Sequence, residues 1–256
     1  MTIPESAARP ALRVAIVDDE ALARQVLREY LSRRDDVEIV AECANGFEAV
    51  KAVADIRPDL LLLDIQMPRL DGFEVLELIG CDTPVVFVTA YDEYALKAFE
   101  VHAVDYLLKP FSAERLSEAL ARARERIGRG ERLPVDALTA AARPRQGPLS
   151  RVLIRDGAQV HVLPVARLDY IEAQDDYVCL RVEGRQYLKE QTLAHLETAL
   201  DPARFVRIHR SYILNIERLA RVELYAKDSR VAILRDGTKL PISRAGYARL
   251  SEILKG

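Results

Sequence analysis

With 256 residues, half of them hydrophobic, the chain exceeds the usual size of one domain core, and two globular domains are expected. The net charge of -3 conceals an asymmetry, because residues 1–120 contain 12 Lys+Arg against 23 Asp+Glu, whereas residues 121–256 contain 25 against 17. An acidic half suits a cation site and a basic half suits a polyanion, although charge speaks to association and not to fold.

The composition also excludes several classes of protein. Cys43, Cys81 and Cys179 are odd in number and far apart, which argues against a disulfide framework or a zinc site. The first residues lack the basic-then-apolar pattern of a signal peptide, and no apolar run approaches the ~20 residues that span a bilayer. We therefore expect a soluble cytoplasmic protein.

The first 110 residues alternate between short apolar runs and amphipathic stretches. The apolar runs predict five strands, at 13–19, 37–43, 59–64, 84–90 and 104–110. Helical spacing of apolar residues predicts helices at about 22–31, 45–56, 72–80, 93–101 and 112–127. Continuous apolar strands that alternate with helices predict a parallel sheet covered on both faces.

The pattern changes after the first domain. Residues 128–150 are rich in Gly, Pro, Arg and Ala without a sustained period, which indicates a linker. Beyond it, Asp156-Gly157 between two apolar runs is a hairpin signal. Further strands are predicted at 169–173, 176–182, 186–190, 205–214, 221–226 and 230–235, and short helices at 192–200 and 245–254. The second domain is therefore predicted to be mostly β.

Polar residues stand where the predicted parallel strands end. The first strand ends in Asp18-Asp19, the third in Asp64, the fourth in Thr89 and the fifth in Lys109-Pro110. In an open parallel sheet the functional crevice lies beyond these carboxyl ends. Crowded carboxylates repel one another unless a cation offsets them, and an oxygen-only site suits Mg2+.

These side chains together suit phosphoryl transfer to a carboxylate. A carboxylate can accept a phosphoryl group when positioning and charge neutralisation stabilise the transition state. Lys109 would supply part of that neutralisation, and the Thr89 hydroxyl could donate to the new phosphoryl oxygens. Asp18 or Asp19 could instead simply cap the following helix. The coincidence of all four strand ends favours a chemical site.

Residues 13–125 resemble the receiver domain of two-component response regulators. The motifs are VDDE at 17–20, DIQMPRLDG at 64–72, TA at 89–90 and DYLLKPF at 105–111. The resemblance implies a flavodoxin-like, five-stranded parallel fold. The resemblance also implies that Asp64 is the phosphoacceptor and that Asp19 and Asp64 bind Mg2+, with help from Asp18 and from the backbone carbonyl of Gln66. It implies that Thr89 and Tyr106 are the switch residues. Lys109 would be the cation that pairs with the phosphoryl group, and the Lys109-Pro110 bond would be cis.

An enzymatic alternative uses much of the same arrangement. Phosphatases of the haloacid dehalogenase type also phosphorylate a strand-end Asp beside Mg2+, with a D-x-D motif whose second Asp is the general acid. The corresponding position here is Gln66, which cannot supply that proton. We therefore expect no hydrolase turnover beyond slow loss of the protein's own phosphoryl group.

The second domain carries its positive charge in strand and loop segments. It lacks the signatures of helix-turn-helix, zinc-finger and basic-zipper modules. Scattered arginines on strands are, one by one, most often part of an ordinary solvated face. The basic residues alone leave open a DNA-binding module, an RNA-binding module or a protein-interaction module.

Residues 151–254 resemble the LytTR domain, through YIEAQDDYVCL at 170–180, FVRIHRSYILN at 205–215 and DGTKLPISR at 236–244. The chain as a whole resembles regulators of the LytR/AlgR type. That family is a β-rich DNA-binding fold whose loops enter the major groove, and the resemblance favours DNA over the other modules. It implies that Arg210 and Arg244 lie on groove-facing loops and that the loop with Asp175 and Asp176 corresponds to a base-reading loop.

The chemistry of these side chains suggests different roles in DNA contact. Arg210 and Arg244 suit bidentate base-edge contacts, and Asp175 or Asp176 could accept from a cytosine amine. Lys189, Arg207 and His209 suit phosphate contact, which fixes register without reading sequence. Asn215 is as consistent with a structural turn as with a contact.

The two resemblances predict a mechanism and a domain plan. A sensor histidine kinase or small phosphodonor would phosphorylate Asp64, and the receiver would then dimerise and place two β domains on DNA half-sites. The predicted domain limits are 1–12 for an N-terminal extension, 13–127 for the receiver, 128–150 for the linker and 151–256 for the DNA-binding domain.

Overall fold

The computed structural model describes residues 10–80, 83–92, 94, 98, 103–129, 147–226 and 229–255. The helix predicted at 93–101, and most of the predicted N-terminal extension and linker, lie outside these residues. The chain divides into two compact units, one N-terminal and one C-terminal. Within the described ranges, no helix has both the length and the apolar character needed to cross a membrane.

The N-terminal unit is a parallel sheet flanked by helices. Its strands are β1 (Leu12–Val17), β2 (Val37–Cys43), β3 (Leu60–Leu63), β4 (Val85–Thr89) and β5 (Asp105–Leu108). Its helices are α1 (Ala21–Leu31), α2 (Gly46–Ile56), α3 (Gly72–Ile79) and α4 (Ala113–Arg129). The strand order is β2-β1-β3-β4-β5, and every pairing is parallel. This confirms the predicted flavodoxin-like sheet.

The sheet is buried because its central strands are apolar on both faces. All four leucines of β3 have 0% exposure, as strands covered on both sides by helices require. On one face, residues of β1, β3, β4 and β5 share a core with α1 and α4. The carboxyl ends of β1, β3, β4 and β5 consequently meet at one edge of a rigid scaffold.

The C-terminal unit is mostly β, as the sequence predicts. Its strands are β6 (Arg151–Asp156), β7 (Gln159–Pro164), β8 (Leu168–Gln174), β9 (Tyr177–Val182), β10 (Arg185–Glu190), β11 (Phe205–His209), β12 (Tyr212–Asn215), β13 (Leu219–Ala226), β14 (Ser229–Leu234) and β15 (Lys239–Ile242). Two helices, α5 (Leu193–Ala199) and α6 (Arg244–Ile253), complete it. The sheets have the orders β10-β9-β8-β12-β11, β13-β14-β15 and β6-β7.

The five-stranded antiparallel sheet of this unit separates two apolar cores. Ile213 belongs to the core that includes α5 and the β6-β7 hairpin, whereas its neighbour Leu214 belongs to the core that includes α6 and the three-stranded sheet. Successive residues of a strand point to opposite faces. Both faces of the sheet are therefore packed, and its turns are left to carry exposed polar side chains.

Two local predictions about this unit were wrong. The segment predicted as one strand at 205–214 is two strands, because the chain turns back at Arg210 and Ser211 and β11 pairs with β12 antiparallel. β15 was not predicted, since it is only four residues long and contains Pro241, which weakens the sequence signal of a strand. α6 begins at Arg244, where the Ser243 side chain caps it by accepting from Gly246 N.

Candidate functional sites

Three carboxylates meet at the edge of the parallel sheet. Asp18 and Asp19 follow β1 and Asp64 follows β3, and one oxygen from each lies within 4.8 Å of the others. Asp18 is fully buried and Asp64 is 6% exposed, whereas Asp19 faces solvent. The predicted acidic cluster therefore exists, with one side open.

Asp18 does not cap the following helix. Its Oδ1 accepts from the backbone N–H of Glu20 at 2.9 Å, and Glu20 itself is the residue that precedes α1. The other oxygen, Oδ2, faces Lys109. The side chain thus closes a short turn and turns its remaining oxygen into the cluster.

Lys109, which follows β5, supplies the positive charge of the pocket. Its Nζ lies 2.6 Å from Asp18 Oδ2 and 3.1 Å from Asp64 Oδ2. Burial raises the pKa of Asp18, and the Lys109 hydrogen bond and charge only partly offset that effect. Burial lowers the pKa of Lys109, but hydrogen bonds and attraction from Asp18 and Asp64 outweigh it, and the pKa rises. The ammonium therefore stays charged and pairs with two of the three carboxylates, Asp18 and Asp64.

Two buried oxygens in the pocket lack hydrogen-bond partners among the described residues. They are Oδ1 of Asp64 and Oγ1 of the fully buried Thr89. Buried polar atoms are nearly always paired, so such atoms indicate an external partner. A hard cation suits the carboxylate oxygen, and an anionic oxygen suits the hydroxyl. The residues present therefore fit a magnesium ion and a phosphoryl group.

Backbone geometry holds Asp64 in place, through a residue that sequence reasoning did not single out. Gly72 N donates to Ile65 O at 2.8 Å, and a Cβ at Gly72 would lie 2.4 Å from the Asp64 carbonyl oxygen. Only glycine permits this approach. Arg24 was also missed, and its guanidinium donates to the Asp18 carbonyl at 2.7 Å. The Asp71-Gly72 pair at the start of α3 was a sequence signal for Gly72, whereas nothing in the sequence pointed to Arg24.

The remaining predicted receiver residues surround the pocket. The Tyr106 hydroxyl donates to the carbonyl of Tyr91, two residues after Thr89. Gln66 is exposed, and its amide donates to the Tyr94 hydroxyl at 3.3 Å. The Lys109-Pro110 bond is cis, as the resemblance implied.

In the C-terminal unit, three turns meet at one end of the five-stranded sheet. Ser243 N and Oγ both donate to Ile208 O, at 2.9 and 3.1 Å, which joins the start of α6 to the end of β11. Ala173 N donates to Ser211 O at 2.9 Å, which joins the end of β8 to the β11-β12 turn. Arg210, Arg244 and the Asp175-Asp176 turn consequently stand on neighbouring loops.

The side chains proposed for DNA contact differ in their exposure to solvent. The exposed ones are Asp175, Asp176, Arg210 and Arg244. The His209 ring is partly enclosed, and its Nδ1 accepts from Ser211 N at 3.2 Å. Lys189 is half-buried on β10 and donates to Leu153 O at 2.7 Å.

Known proteins match both units. A family model of the response regulator receiver domain matches residues 14–121, and a model of the LytTr DNA-binding domain matches residues 158–255. The transcriptional regulatory protein BtsR of Escherichia coli K12 is 38% identical over 249 residues, which cover 95% of this chain and 99% of BtsR. The sensory transduction protein LytT of Bacillus anthracis is 32% identical over 251 residues, with 95% and 99% covered. The response regulator domain of Thermotoga maritima CheB covers 46% of this chain and 97% of its own, with 31% identity and a TM-score of 0.41.

The parallel sheet with its acidic pocket defines a response regulator with a receiver domain. The full-length similarity specifies more: the chain belongs to the family of two-component response regulators that join a receiver domain to a LytTR DNA-binding domain. It is accordingly a phosphorylation-controlled transcriptional regulator. The basic residues alone left DNA, RNA and protein open as partners of the second domain, and the match to a DNA-binding family indicates DNA.

Proposed function

We propose that Asp64 accepts the phosphoryl group that controls this regulator. The observation that carries the proposal is the buried Oδ1 of Asp64, which has no hydrogen-bond partner in the part of the chain that the structure describes and lies beside a carboxylate pair and a lysine. One carboxylate oxygen of Asp64 would form a bond to phosphorus of a phosphohistidine or small acyl phosphate, while the bond from phosphorus to the donor breaks. Lys109 would hold the charge of the transferred group, because its ammonium already lies between Asp18 and Asp64.

Asp18, Asp19 and Asp64 would hold a magnesium ion, together with the backbone carbonyl of Gln66. When bound, the ion supplies neutralisation of the charge on the phosphoryl oxygens. The exposed Asp19 leaves one side of the cluster open to a donor.

Thr89 and Tyr106 would report the phosphorylated state to the rest of the receiver. The Thr89 hydroxyl, which has no hydrogen-bond partner within the described ranges, would donate to a phosphoryl oxygen on Asp64 and so draw the end of β4 toward the pocket. Tyr106 is hydrogen-bonded to the carbonyl of Tyr91 just beyond β4, so it would respond to that displacement.

We propose no catalytic turnover. Gln66 stands where a haloacid dehalogenase-type phosphatase needs its acidic proton donor, and its amide cannot protonate a leaving group. Sustained magnesium-dependent hydrolysis of small phosphate esters would contradict this assignment.

DNA would be contacted by the turns at one end of the five-stranded sheet of the C-terminal unit. Arg210 and Arg244 would contact base edges, His209 and Lys189 would contact phosphates, and Asp175 or Asp176 would accept from a base amine. Support comes from the hydrogen bonds between Ser243 and Ile208, which place the two arginine loops side by side.

A sensor histidine kinase would supply the phosphoryl group in the cytoplasm, where the DNA lies. Residues 13–127 would form the receiver and residues 151–256 the DNA-binding domain, joined through 128–150. Phosphorylation would favour a homodimer that occupies two half-sites at once, which raises the effective concentration of the second domain.

One experiment tests the coupling. Duplexes bound by the full-length protein are selected from a random pool with and without an acyl-phosphate donor, for the wild type and for Asp64→Asn. We expect the donor to change duplex affinity and oligomeric state only in the wild type. A donor effect that persists in Asp64→Asn would move the phosphoacceptor elsewhere, and no effect in either protein would disprove the coupling.

A further inference from the structure

The guanidinium of Arg207 is already engaged within the C-terminal unit. Its Nη1 lies 2.8 Å from Oε2 of Glu197 on α5, and another nitrogen, Nη2, donates to the backbone carbonyl of Arg210 at 2.9 Å. The side chain is 26% exposed. Arg207 therefore links a helix to the turn that carries Arg210.

The helix end of this link is fixed by packing. α5 places Leu193 and Leu196 in the core beneath the five-stranded sheet, and Leu200 at its end belongs to the same core. Glu197 follows Leu196 directly and extends from a helix that cannot shift without disturbing that core. The carboxylate is thus a rigid anchor for the Arg207 fork, whose planar geometry suits two partners in fixed directions.

The other polar groups around the turn are held as well. Arg249 of α6 donates twice to the Arg207 carbonyl, at 3.2 and 2.7 Å, and Ser243 donates to Ile208 O. Ser211 N donates to His209 Nδ1. The Arg207 side chain completes this set, because it is the group that binds the carbonyl of Arg210 itself.

We propose that Arg207 is a positioning residue that fixes the Arg210 turn for base reading, and that Glu197 is the anchor through which it acts. This rests on the proposed DNA contact of Arg210. The ion pair with Glu197 offsets the positive charge that a phosphate contact would use, and the hydrogen bond to the Arg210 carbonyl limits the directions in which Arg210 can point. Because its backbone is held in this way, the Arg210 side chain loses less conformational freedom when it binds a base. Such preorganisation favours the correct base over others.

Glu197→Gln in the full-length protein tests the anchor, and Glu217→Gln is its matched control. Glu217 forms the same kind of pair with Arg204, at 3.0 and 2.9 Å, at the opposite end of β11 from the turn. Both variants remove one negative charge. Affinity is measured by fluorescence anisotropy for a duplex selected from a random pool by the wild type, and for a scrambled duplex of equal length.

We expect Glu197→Gln to weaken binding to the selected duplex about tenfold relative to Glu217→Gln, as loss of a charge-assisted contact would. The two variants should bind the scrambled duplex equally. If Arg207 instead binds phosphate, releasing it from Glu197 should strengthen binding to both duplexes, and that result would overturn the proposal.

Arg207→Lys provides a second readout that does not depend on Glu197. Lysine keeps the charge but not the fork, so a positioning role predicts a similar tenfold loss on the selected duplex. A phosphate contact would survive largely intact. Circular dichroism melting of each variant checks that the fold is retained.

Combination with Arg210→Ala separates this inference from the function on which it rests. If Glu197 acts through Arg210, Glu197→Gln should cause no further loss in the Arg210→Ala background. Additive losses would overturn the positioning role and leave DNA contact by Arg210 standing. No loss from Arg210→Ala alone would overturn both.

Discussion

The ammonium of Lys109 lies 2.6 Å from Oδ2 of Asp18, nearer than the 3.1 Å that separates it from Oδ2 of Asp64. In this state the lysine offsets the most deeply buried carboxylate of the pocket. Asp64 keeps one buried oxygen without a hydrogen-bond partner among the described residues. Lys109 thus offsets only part of the negative charge of the three carboxylates.

Lys109→Ala should destabilise the receiver and make its stability depend more strongly on magnesium. Removing one partner of a buried ion pair costs about 3 kcal/mol, because it leaves a carboxylate uncompensated. Magnesium would offset the same charge and recover part of the loss. Thermal melting is measured with MgCl2 and with NaCl of equal ionic strength. Lys51→Ala, an exposed lysine of α2, is the control, and an equal magnesium shift in both variants would contradict this account.

Gly72→Ala should damage the phosphoacceptor site through its backbone. The added Cβ would lie 2.4 Å from the Asp64 carbonyl oxygen, and overpacking of this kind costs about 1–3 kcal/mol. We also expect slower phosphorylation by a small phosphodonor. The measurements are urea unfolding and incorporation of labelled phosphate.

Gly128→Ala is the matched control for that substitution. Gly128 is in α4, and apart from the neighbouring backbone of that helix no described atom lies within 4 Å of a Cβ built there. Alanine favours a helix over glycine by up to about 1 kcal/mol, so this variant should be slightly more stable and phosphorylate normally. Similar behaviour of the two variants would count against a special role for Gly72.

Asp105 should contribute stability that is lost in acid. Burial acts to raise the pKa of Asp105, but hydrogen bonds and charge from Arg115, with the charge of Arg122, bring it below the usual value. A carboxylate whose pKa is lower in the folded protein stabilises the fold above its unfolded pKa, near ~3.9, and this contribution disappears as pH falls through the folded pKa.

Asp105→Asn should therefore be less stable than the wild type at pH 7 by about 2 kcal/mol, and the difference should shrink below about pH 4. Urea unfolding between pH 3 and pH 7 measures it. Glu125→Gln, which breaks an exposed ion pair on α4, should show a much smaller difference across the range. A gap for Asp105→Asn that widens in acid would refute the sign of the shift.

Arg244→Ala and Lys189→Ala should affect DNA binding differently. Arg244 is the first residue of α6, whose start lies beside the turn that carries Arg210. Loss of a base contact there should weaken binding to the selected duplex by about 1–3 kcal/mol, with little effect on binding to a scrambled duplex. Lys189→Ala should weaken both duplexes, and the slope of log affinity against log salt should fall by about 0.9. Equal losses on both duplexes for Arg244→Ala would exclude base reading by that residue.

The architecture of the receiver and the location of its pocket were predictable from local sequence patterns. The short apolar run Leu60–Leu63 is typical of a strand buried on both faces, and helices between such strands favour a parallel sheet whose carboxyl ends share one edge. Asp18, Asp64, Thr89 and Lys109 therefore had to converge, because each directly follows or ends a strand. In the second domain, the residues alone left the partner open, and the family resemblance supplied it.

Which polar atoms already have hydrogen-bond or ion-pair partners became visible only in the packed structure. Three contacts join groups whose separation is set by packing and not by local periodicity. They are the short hydrogen bond from Lys109 to Asp18, the close approach of Gly72 to Asp64, and the ion pair between Arg207 and Glu197. The turn at Arg210 and Ser211 was hidden because apolar residues continue on both sides of it. Hydrogen bonds to Ile208, Arg210 and Ser211 from separate elements fix that turn, and no local pattern encodes them.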